Sequence, residues 1–337
     1  MLNPTRLAFA AFCAQLATLN SVAHATEKFA VSPTIQQRLE TRIQESSDYL
    51  SLINMIGVTE KSGAKLGLGV TGPVASRTDT TQKDRNPRDV SSLTEQLYNC
   101  VKTDFDTAFP YALLDAWAKF PDFQNRLRDA IIQRQALDRL TIGWNGKSIA
   151  PATDLAANPL LQDVNKGWLQ NLRDGAPENV MATGKKQAGE VRVGPGGDYE
   201  TLDALVYDII VMLDPWHQQN TGLRAHVGRK LLHDKYFPVV NRQQGAQDEL
   251  ASQLLVSQKS IGGLPGLVVP FFPDNAVLVT IPKNLSLYYQ DGARRRQVMD
   301  EPKRDRIANY ESSNDAYVVE DLGAAALVEN IVIGKWA

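Results

Sequence analysis

The chain has 337 residues and a formal net charge of −2, from 36 basic and 38 acidic side chains. A chain of this length can bury about three-quarters of its unfolded surface and form one to three domains. Because neither sign of charge dominates, the composition argues against a free-standing nucleic-acid binder, which normally carries a basic excess. Two cysteines, Cys13 and Cys100, are too few for a disulfide framework or a zinc quartet. No apolar run reaches the length of about 18 residues that a membrane-spanning helix requires.

The first 25 residues fit two interpretations. Arg6, the apolar stretch after it and the Ala23-His24-Ala25 triplet resemble a secretory signal with its cleavage site. The alternative is an amphipathic helix, whose apolar members recur every three or four residues: Phe9, Phe12, Cys13, Leu16 and Leu19. The weakly basic start and the polar residues within the apolar stretch favour the helix.

Residues 30–56 read as an extended lead-in followed by a helix, and residues 57–112 as short β-prone pieces around a long polar insert. A structureless loop of that length is unusual inside a compact domain, so the pattern predicts a two-stranded ribbon. A lone hairpin is marginal in water, and we therefore expect it to rest on another subunit. The candidate inter-subunit contacts are its basic residues: Lys65, Arg77, Lys83, Arg85 and Arg88.

The longest helical pattern covers residues 122–145, with a proline before it and Asp122 as a suitable N-cap. Arg134 lies within its apolar face, and Asp138 follows one turn later, a spacing that predicts a charge pair. The expected apolar face consists of Phe123, Leu127, Ala130, Ile131, Leu137, Leu140 and Trp144, with Ile132 and Ala136 opposite.

The second half of the chain favours a mixture of helices and strands. A second helix is expected between Pro159 and Gly175, and the glycine-rich stretch 192–202 looks like a domain boundary. After it come a helical pattern at 201–213 and a strand running into a helix at 224–240. Strands are expected at 250–258, 266–273, 275–282, 285–292 and within 310–334.

Two glycine motifs imitate nucleotide-binding loops. Gly67-x-Gly69-x-x-Gly72 is followed by a proline and a polar loop instead of the helix that a dinucleotide site needs. The stretch 143–148 ends like a Walker A loop, but Thr141 occupies the place of its first glycine and the stretch follows a helix. A helix C-terminus with glycine in the left-handed region is the better interpretation.

No residue pattern calls for catalysis, a cofactor or a metal. The four histidines lack ligand spacing, and no serine, cysteine or carboxylate pair stands in a nucleophile or acid–base context. The densest basic stretch, Arg294-Arg295-Arg296 with Lys303, Arg304 and Arg306, is interleaved with acidic residues. It is either solvated surface or a set of salt bridges to a neighbouring subunit, and mixed charge gives little attraction for DNA phosphates.

Several long segments together carry a family resemblance: GVTGPVASRTDT, PDFQNRLRDAIIQRQALD, NPLLQDVNKGWLQ, GRKLLHDKYFPVVN, SQKSIGGLPGLVVPFFPDNAVLVT, NLSLYYQDGARRR and NYESSNDAYVVEDL. From about Phe29 to the C-terminus the chain resembles the major capsid proteins of Peduovirus-type (P2-like) tailed bacteriophages. The resemblance implies the α+β capsid fold named after phage Hong Kong 97.

The resemblance also implies a division of the chain. Its parts would be an N-terminal segment removed in maturation (1–29), an N-terminal arm (30–56), an extended loop (57–112), a peripheral domain carrying the spine helix 122–145 (113–195 and 301–337) and an axial domain (196–300). The maturation cut would lie near Phe29 and Ala30, and residues 1–28 would form a helix facing the scaffold or the lumen.

The implied function is structural, with no active site and no cofactor. Members of the family self-assemble as hexamers and pentamers into an icosahedral head around double-stranded DNA, in the bacterial cytoplasm. The implied partners are further copies of the chain, an internal scaffolding protein and protease, a portal protein and, non-specifically, DNA, with no membrane. Two alternatives remain: an encapsulin-like nanocompartment shell and a secreted α/β binding protein.

Overall fold

A computed structural model describes residues 1–70, 75–85, 91–117, 123–240 and 260–336. The chain forms two compact units. Unit 1 consists of Met1–Lys61, Asn99–Asn171 and Leu285–Val318, and unit 2 of Ser62–Tyr98, Leu172–Asn284 and Val319–Ala337. Each unit is therefore assembled from three separate stretches of sequence.

The described α-helices are α1 (Asn3–Asn20), α2 (Pro33–Glu45), α3 (Tyr111–Trp117), α4 (Phe123–Asn145), α5 (Trp168–Gly175), α6 (Leu202–Met212) and α7 (Arg229–Val240). Helices α1 and α2 each have a proline in their first turn, where the missing N–H does no harm. Helix α6 is capped by Thr201, whose hydroxyl accepts a hydrogen bond from Ala204 N at 3.2 Å.

The described strands are β1 (Phe29–Ala30), β2 (Asn54–Val58), β3 (Ser62–Val70), β4 (Ser91–Asn99), β5 (Val101–Asp104), β6 (Thr107–Pro110), β7 (Val180–Met181), β8 (Val191–Val193), β9 (Arg224–Val227), β10 (Ser260–Ile261), β11 (Leu264–Val268), β12 (Val277–Thr280), β13 (Leu285–Gln290), β14 (Arg295–Glu301), β15 (Arg306–Val319), β16 (Ala325–Val328) and β17 (Ile331–Ile333).

Unit 1 is built on a sheet in the order β1-β14-β15-β13-β2, with β5 and β6 also pairing with β15. β14 and β15 are antiparallel, with Arg296 opposite Glu311, whereas β2 runs parallel to β13. Helix α1 contributes Phe12 and Leu16 to one apolar cluster of this unit, where they meet Leu114, Ile131, Val298 and Ile307.

The end of helix α4 packs among aromatic rings. Trp144 lies 5.4 Å from Tyr49 and 4.8 Å from Trp168, measured between ring centroids. Trp168 donates a hydrogen bond from its indole nitrogen to Ser286 O at 2.8 Å, so its one polar atom is satisfied. A Cβ on Gly143 would lie 2.2 Å from the Trp168 ring, which explains why glycine occupies this buried helix position.

Unit 2 holds a mixed sheet in the order β10-β11-β9-β12-β16-β7 and two small two-stranded sheets, β17-β8 and β3-β4. Helix α6 lies against the larger sheet, and its Leu205, Val206 and Ile209 are fully buried with Val277, Val279 and other strand residues. Strands β12 and β16 are short and mostly apolar, as strands covered on both faces usually are, whereas β9 also carries Arg224 and the fully buried His226.

Most of the predicted elements are confirmed. Helix α4 begins and ends within one residue of the expected range, the strand and helix predicted at 224–240 are β9 and α7, and the predicted ribbon is the β3–β4 pair. Asp122, the predicted N-cap of α4, and the strand predicted at 250–258 lie outside the described residues. Gly72 of the glycine motif and Arg88 of the ribbon also lie outside them.

Three local predictions are wrong. The helix expected from Pro159 begins only at Trp168, because the preceding stretch approaches α4 closely: a Cβ on Gly146 would lie 2.1 Å from Asn165 O. Gly146 does not have a positive φ, so it is this close approach, not a left-handed cap, that requires glycine there. Ala130, expected in the apolar face of α4, is exposed.

The glycine-rich stretch is internal to unit 2 and is not a boundary between units. Gly194 and Gly196 have φ values of 128° and 77°, and a Cβ on either would lie within 2.4 Å of the carbonyl oxygen of Gly334 or Trp336. The stretch is therefore the surface that receives the C-terminal residues, and the guanidinium of Arg192 stacks 4.4 Å from the Trp336 ring.

The expected division into domains does not coincide with the two units. Residues 172–195 and 319–337 were assigned to the peripheral domain but lie in unit 2. Strand pairing explains this, since β16 pairs with β12 and β7, and β17 pairs with β8.

Candidate functional site

The most concentrated polar structure in the described part of the chain is buried within unit 1. We call it the buried charge cluster: Glu40, Gln135, Arg139, Arg294, Glu311, Ser313 and Asp315. Each of these side chains is at most 3% exposed. They come from α2, α4, the residue before β14, and β15.

Arg139 is at the centre of the cluster. Its Nε and one terminal nitrogen donate to the two oxygens of Asp315 at 2.9 and 3.1 Å, a bidentate pair. The other side of the guanidinium is paired with Glu40. Burial by itself lowers the pKa of Arg139, but the charges of Asp315 and Glu40 outweigh that effect and raise it. The arginine is thus held permanently charged inside the unit.

Arg294 completes the cluster. It donates to Glu311 at 2.7 Å, to Glu40 at 2.6 Å and to the amide oxygen of Gln135 at 2.6 Å. Burial opposes ionisation of Glu311, but the charges of Arg294 and Arg296 lower its pKa to about 2. A fully buried group of ions is tolerated only when partners satisfy it this completely.

Arg294 therefore cannot be an inter-subunit contact, and its prediction as one is wrong. It is 0% exposed and its partners belong to its own unit. Arg295 and Arg296 are half-buried: Arg295 donates to Gly292 O at 2.6 Å, and Arg296 to Asn309 Oδ1 at 2.9 Å. Their role between subunits stays a prediction.

The predicted pair of Arg134 and Asp138 exists, with 2.6 Å between nitrogen and oxygen. Its predicted place on the packed face is wrong, since the Arg134 side chain is 63% exposed. Burial raises the pKa of Asp138, and the neighbouring Arg134 partly counteracts this. The buried arginine of the helix is Arg139, five residues later.

Sequence reasoning missed the buried charge cluster, although one signal was present. Gln135 and Arg139 share a helical face with Ile132 and Ala136, and all four are buried. A charge on an otherwise apolar face indicates an internal partner, but nothing in the sequence identifies Glu40 or Asp315 as that partner.

The ribbon residues have different environments. Lys65 forms a salt bridge of 2.7 Å with Glu320 inside unit 2 and is 12% exposed, so its charge already has a partner in its own subunit, and its contact with a neighbour stays a prediction. Arg77, Lys83 and Arg85 are exposed. These three remain candidates for contact with other subunits.

The candidate maturation site lies in an edge strand. Phe29 and Ala30 form β1, which pairs antiparallel with Arg296 and Arg295 of β14. The Phe29 side chain is 7% exposed. Further hydrogen bonds join Val298 N to Ala25 O and Val31 N to Arg294 O, both at 3.0 Å. The segment is thus attached along this sheet edge from Arg294 to Val298.

The N-terminus forms helix α1, as the helical interpretation of its sequence predicts. Phe12 and Leu16 are buried in unit 1, whereas Leu7 on the opposite side of the helix and Leu19 in its last turn are exposed. Burial raises the pKa of Cys13 to about 11, so its thiol stays protonated at neutral pH. None of the helices in the described ranges has the length and apolarity needed to cross a membrane.

Comparison with known proteins identifies the family. The family described as "Phage major capsid protein, P2 family" matches residues 8–331. The chain belongs to this family. The "Capsid proteins" of Escherichia phage P2 are 45% identical over 346 residues, covering 100% of this chain and 97% of the relative. The "Major capsid protein" of Serratia phage KSP20 is 40% identical, covering 99% of each.

A solved structure agrees. A chain of the structure titled "Satellite phage P4 procapsid including size determination (Sid) protein" is similar with a TM-score of 0.82 and 44% identity, covering 100% of both chains. The prediction of a mixed helix-and-strand phage capsid fold is confirmed. The family is one of structural proteins, which also confirms the prediction of a non-enzymatic role.

Proposed function

We propose that this P2-family capsid protein self-assembles as hexamers and pentamers into an icosahedral phage head that encloses double-stranded DNA. The observation that carries this proposal is the match over the full length of a procapsid chain at 44% identity. A closed symmetric shell multiplies interfaces that can each be modest in area. The encapsulin-like shell and the secreted binding protein have no comparable support.

We propose further that the fold follows the Hong Kong 97 plan. Helix α4 would be the spine helix of the peripheral domain, residues 57–112 the extended loop, 30–56 the N-terminal arm and 196–300 the axial domain. The β3–β4 pair supports the extended loop, because a two-stranded sheet with an exposed basic tip needs a further surface to rest on.

In this arrangement the buried charge cluster would fix the arm to the spine. Glu40 is the contribution of the arm, since it lies on α2, and its carboxylate pairs with both Arg139 and Arg294. Without those arginines the carboxylate would be buried uncompensated, so the docked position of α2 is strongly favoured over a free one. The cluster would therefore set the direction in which the arm leaves each subunit.

Maturation would remove residues 1–29 by a cut near Phe29 and Ala30. Ala30 is exposed and β1 is extended and at a sheet edge, as a protease substrate must be. Phe29 is buried, however, so the segment would have to leave β14 before cleavage. Because α1 packs into unit 1, its loss would also uncover apolar surface at Leu114 and Ile131.

The proposed partners are further copies of the chain, an internal scaffolding protein with its protease, a portal protein and, non-specifically, packaged DNA. Assembly would take place in the cytoplasm of the bacterial host, without a membrane. The P4 procapsid structure includes a size-determination protein, and a protein of that kind would be an additional partner for this chain.

The test is expression of the chain alone and with its neighbouring scaffold gene, followed by electron microscopy, sedimentation and intact-mass measurement. We expect closed uniform particles in the co-expression, with a shortened N-terminus when the protease is active. A small species that starts at Thr26 under both conditions would overturn the shell assignment. Particles that enclose enzymes instead of DNA in the native host would favour the nanocompartment.

A further inference from the structure

Two carboxylates and one imidazole come together in unit 2, away from the buried charge cluster. They belong to Asp214, His217 and Asp321, and 104 residues separate the imidazole from Asp321. One ligand atom from each lies within 4.8 Å of the other two, and all three residues are half-buried. Spacing in the sequence gave no indication of a metal site here.

Backbone hydrogen bonds hold the three residues in place. Asp214 N, just after α6, donates to Gly323 O at 3.0 Å, and His217 N donates to Asp214 O at 2.8 Å. On the other side, Asn284 accepts from Asp321 N at 2.7 Å and donates to Asp321 O at 2.8 Å. The two loops that carry the donor atoms are thus fixed to each other without help from those atoms.

The carboxylate of Asp214 has no hydrogen-bond or ion-pair partner among the described residues. Its Oδ2 lies over Gly323, where a Cβ would be only 2.0 Å away, so a residue with a side chain would displace it. Asp321, in contrast, accepts from Gly323 N at 3.0 Å and contacts His217 Nε2 at 2.9 Å. Two half-buried carboxylates beside one imidazole leave the group with a net negative charge, which favours a bound cation.

The distance between the His217 and Asp321 donor atoms suits a metal ion. Two donor atoms 2.9 Å apart, each about 2.1 Å from a common ion, subtend an angle of about 90°, as neighbouring ligands do in octahedral coordination. Imidazole favours first-row transition metals, whereas carboxylates alone favour magnesium or calcium. The mixed donor set therefore favours an ion such as Mn²⁺ or Zn²⁺.

We propose that Asp214, His217 and Asp321 bind a divalent first-row transition-metal ion, with water in the remaining coordination positions. The ion joins the loop after α6 to the turn between β15 and β16, and so stabilises unit 2. The proposal goes beyond shell assembly and does not depend on it.

The test is isothermal titration calorimetry of the untagged full-length chain with MnCl₂ and ZnCl₂ after removal of metals by a chelator. We expect one site per chain. Asp214→Asn and His217→Gln should each weaken it at least tenfold, and MgCl₂ should bind more weakly than MnCl₂. His233→Gln is the matched control, because it removes an exposed histidine of α7 and leaves the three ligands intact.

Circular dichroism establishes whether each variant is folded. If Asp214→Asn does not fold, His217→Gln alone tests the proposed site. Absence of saturable binding by the wild-type chain would overturn the proposal. So would affinity that is unchanged in the folded His217→Gln chain, or that is lost in His233→Gln. Equal affinity for Mg²⁺ and Mn²⁺ would exclude the transition-metal assignment.

Discussion

Arg139 of helix α4 and Asp315 of strand β15 form a bidentate ion pair, with contacts of 2.9 and 3.1 Å, although 176 residues separate them. Their side chains are 0% and 1% exposed. Together with Glu40 and Arg294 they join helix α2, helix α4 and the sheet of unit 1.

Arg139→Met should destabilise unit 1 by about 3–5 kcal/mol, because Glu40 and Asp315 stay buried but lose the positive charge that they share. Arg134→Ala is the matched control on the same helix: its pair with Asp138 is largely exposed on the arginine side and should be worth about 1 kcal/mol or less. Thermal unfolding of the unassembled chain measures both. Similar losses of unfolding free energy in the two variants would contradict the inference that burial makes the Arg139 ion pairs matter more than the exposed Arg134 pair.

Glu311 should make unit 1 sensitive to strong acid. Its pKa is lowered to about 2 from 4.5, so the unfolded state binds a proton at higher pH than the folded state. The resulting stability is fully present above pH about 4.5 and is lost as the pH falls through about 2, and it amounts to roughly 3 kcal/mol.

Denaturant titrations between pH 5 and pH 2, with tryptophan fluorescence as the probe, measure this slope. Glu311→Gln should be less stable at neutral pH, since Arg294 loses a charged partner, but should show a shallower decline in acid. A decline as steep as that of the wild-type chain would show that other groups carry the effect.

His226 should make unit 2 sensitive to milder acid. Burial lowers its pKa from 6.5 to about 4, and Nδ1 of the ring donates a hydrogen bond to Leu278 O, 3.2 Å away. The unfolded state is protonated first, so this stability is complete above pH about 6.5 and is lost as the pH falls towards 4, by roughly 3 kcal/mol.

Hydrogen exchange of the β9 and β12 amides between pH 7 and pH 4, corrected for the intrinsic exchange rate, should therefore accelerate before that of β14 and β15. His226→Gln should remove most of the difference. His233→Gln, on the exposed side of α7, is the control and should leave the profile unchanged. Simultaneous acceleration in both units would contradict the separate pH windows.

Deletion of residues 76–92 should leave a folded subunit that cannot close shells, because the tip of the ribbon contributes no buried group to its own unit among the described residues. Electron microscopy after co-expression with the proposed scaffolding protein measures closure, and circular dichroism measures folding. Arg77→Ala is a milder companion that keeps the ribbon length. Normal particles from the deletion would refute the role of the ribbon.

Local patterns in the sequence determined the elements of this protein, and the family resemblance determined its class. Helix α4 and the β3–β4 ribbon were predicted because helical periodicity and a polar insert are properties of neighbouring residues. The same information placed Arg134 and Asp138 within one turn of each other. It could not tell which face of α4 was solvated.

Only the tertiary structure decided which charges are internal. Arg294 stands in a run of three arginines, which by sequence alone indicates solvent or a neighbouring subunit, yet Glu40 lies 254 residues away and pairs with it. Asp321 and His217 likewise lie 2.9 Å apart although 104 residues separate them. The free energy of a charge depends on its burial and its partners, and both are set by contacts between distant parts of the chain, which no local pattern records.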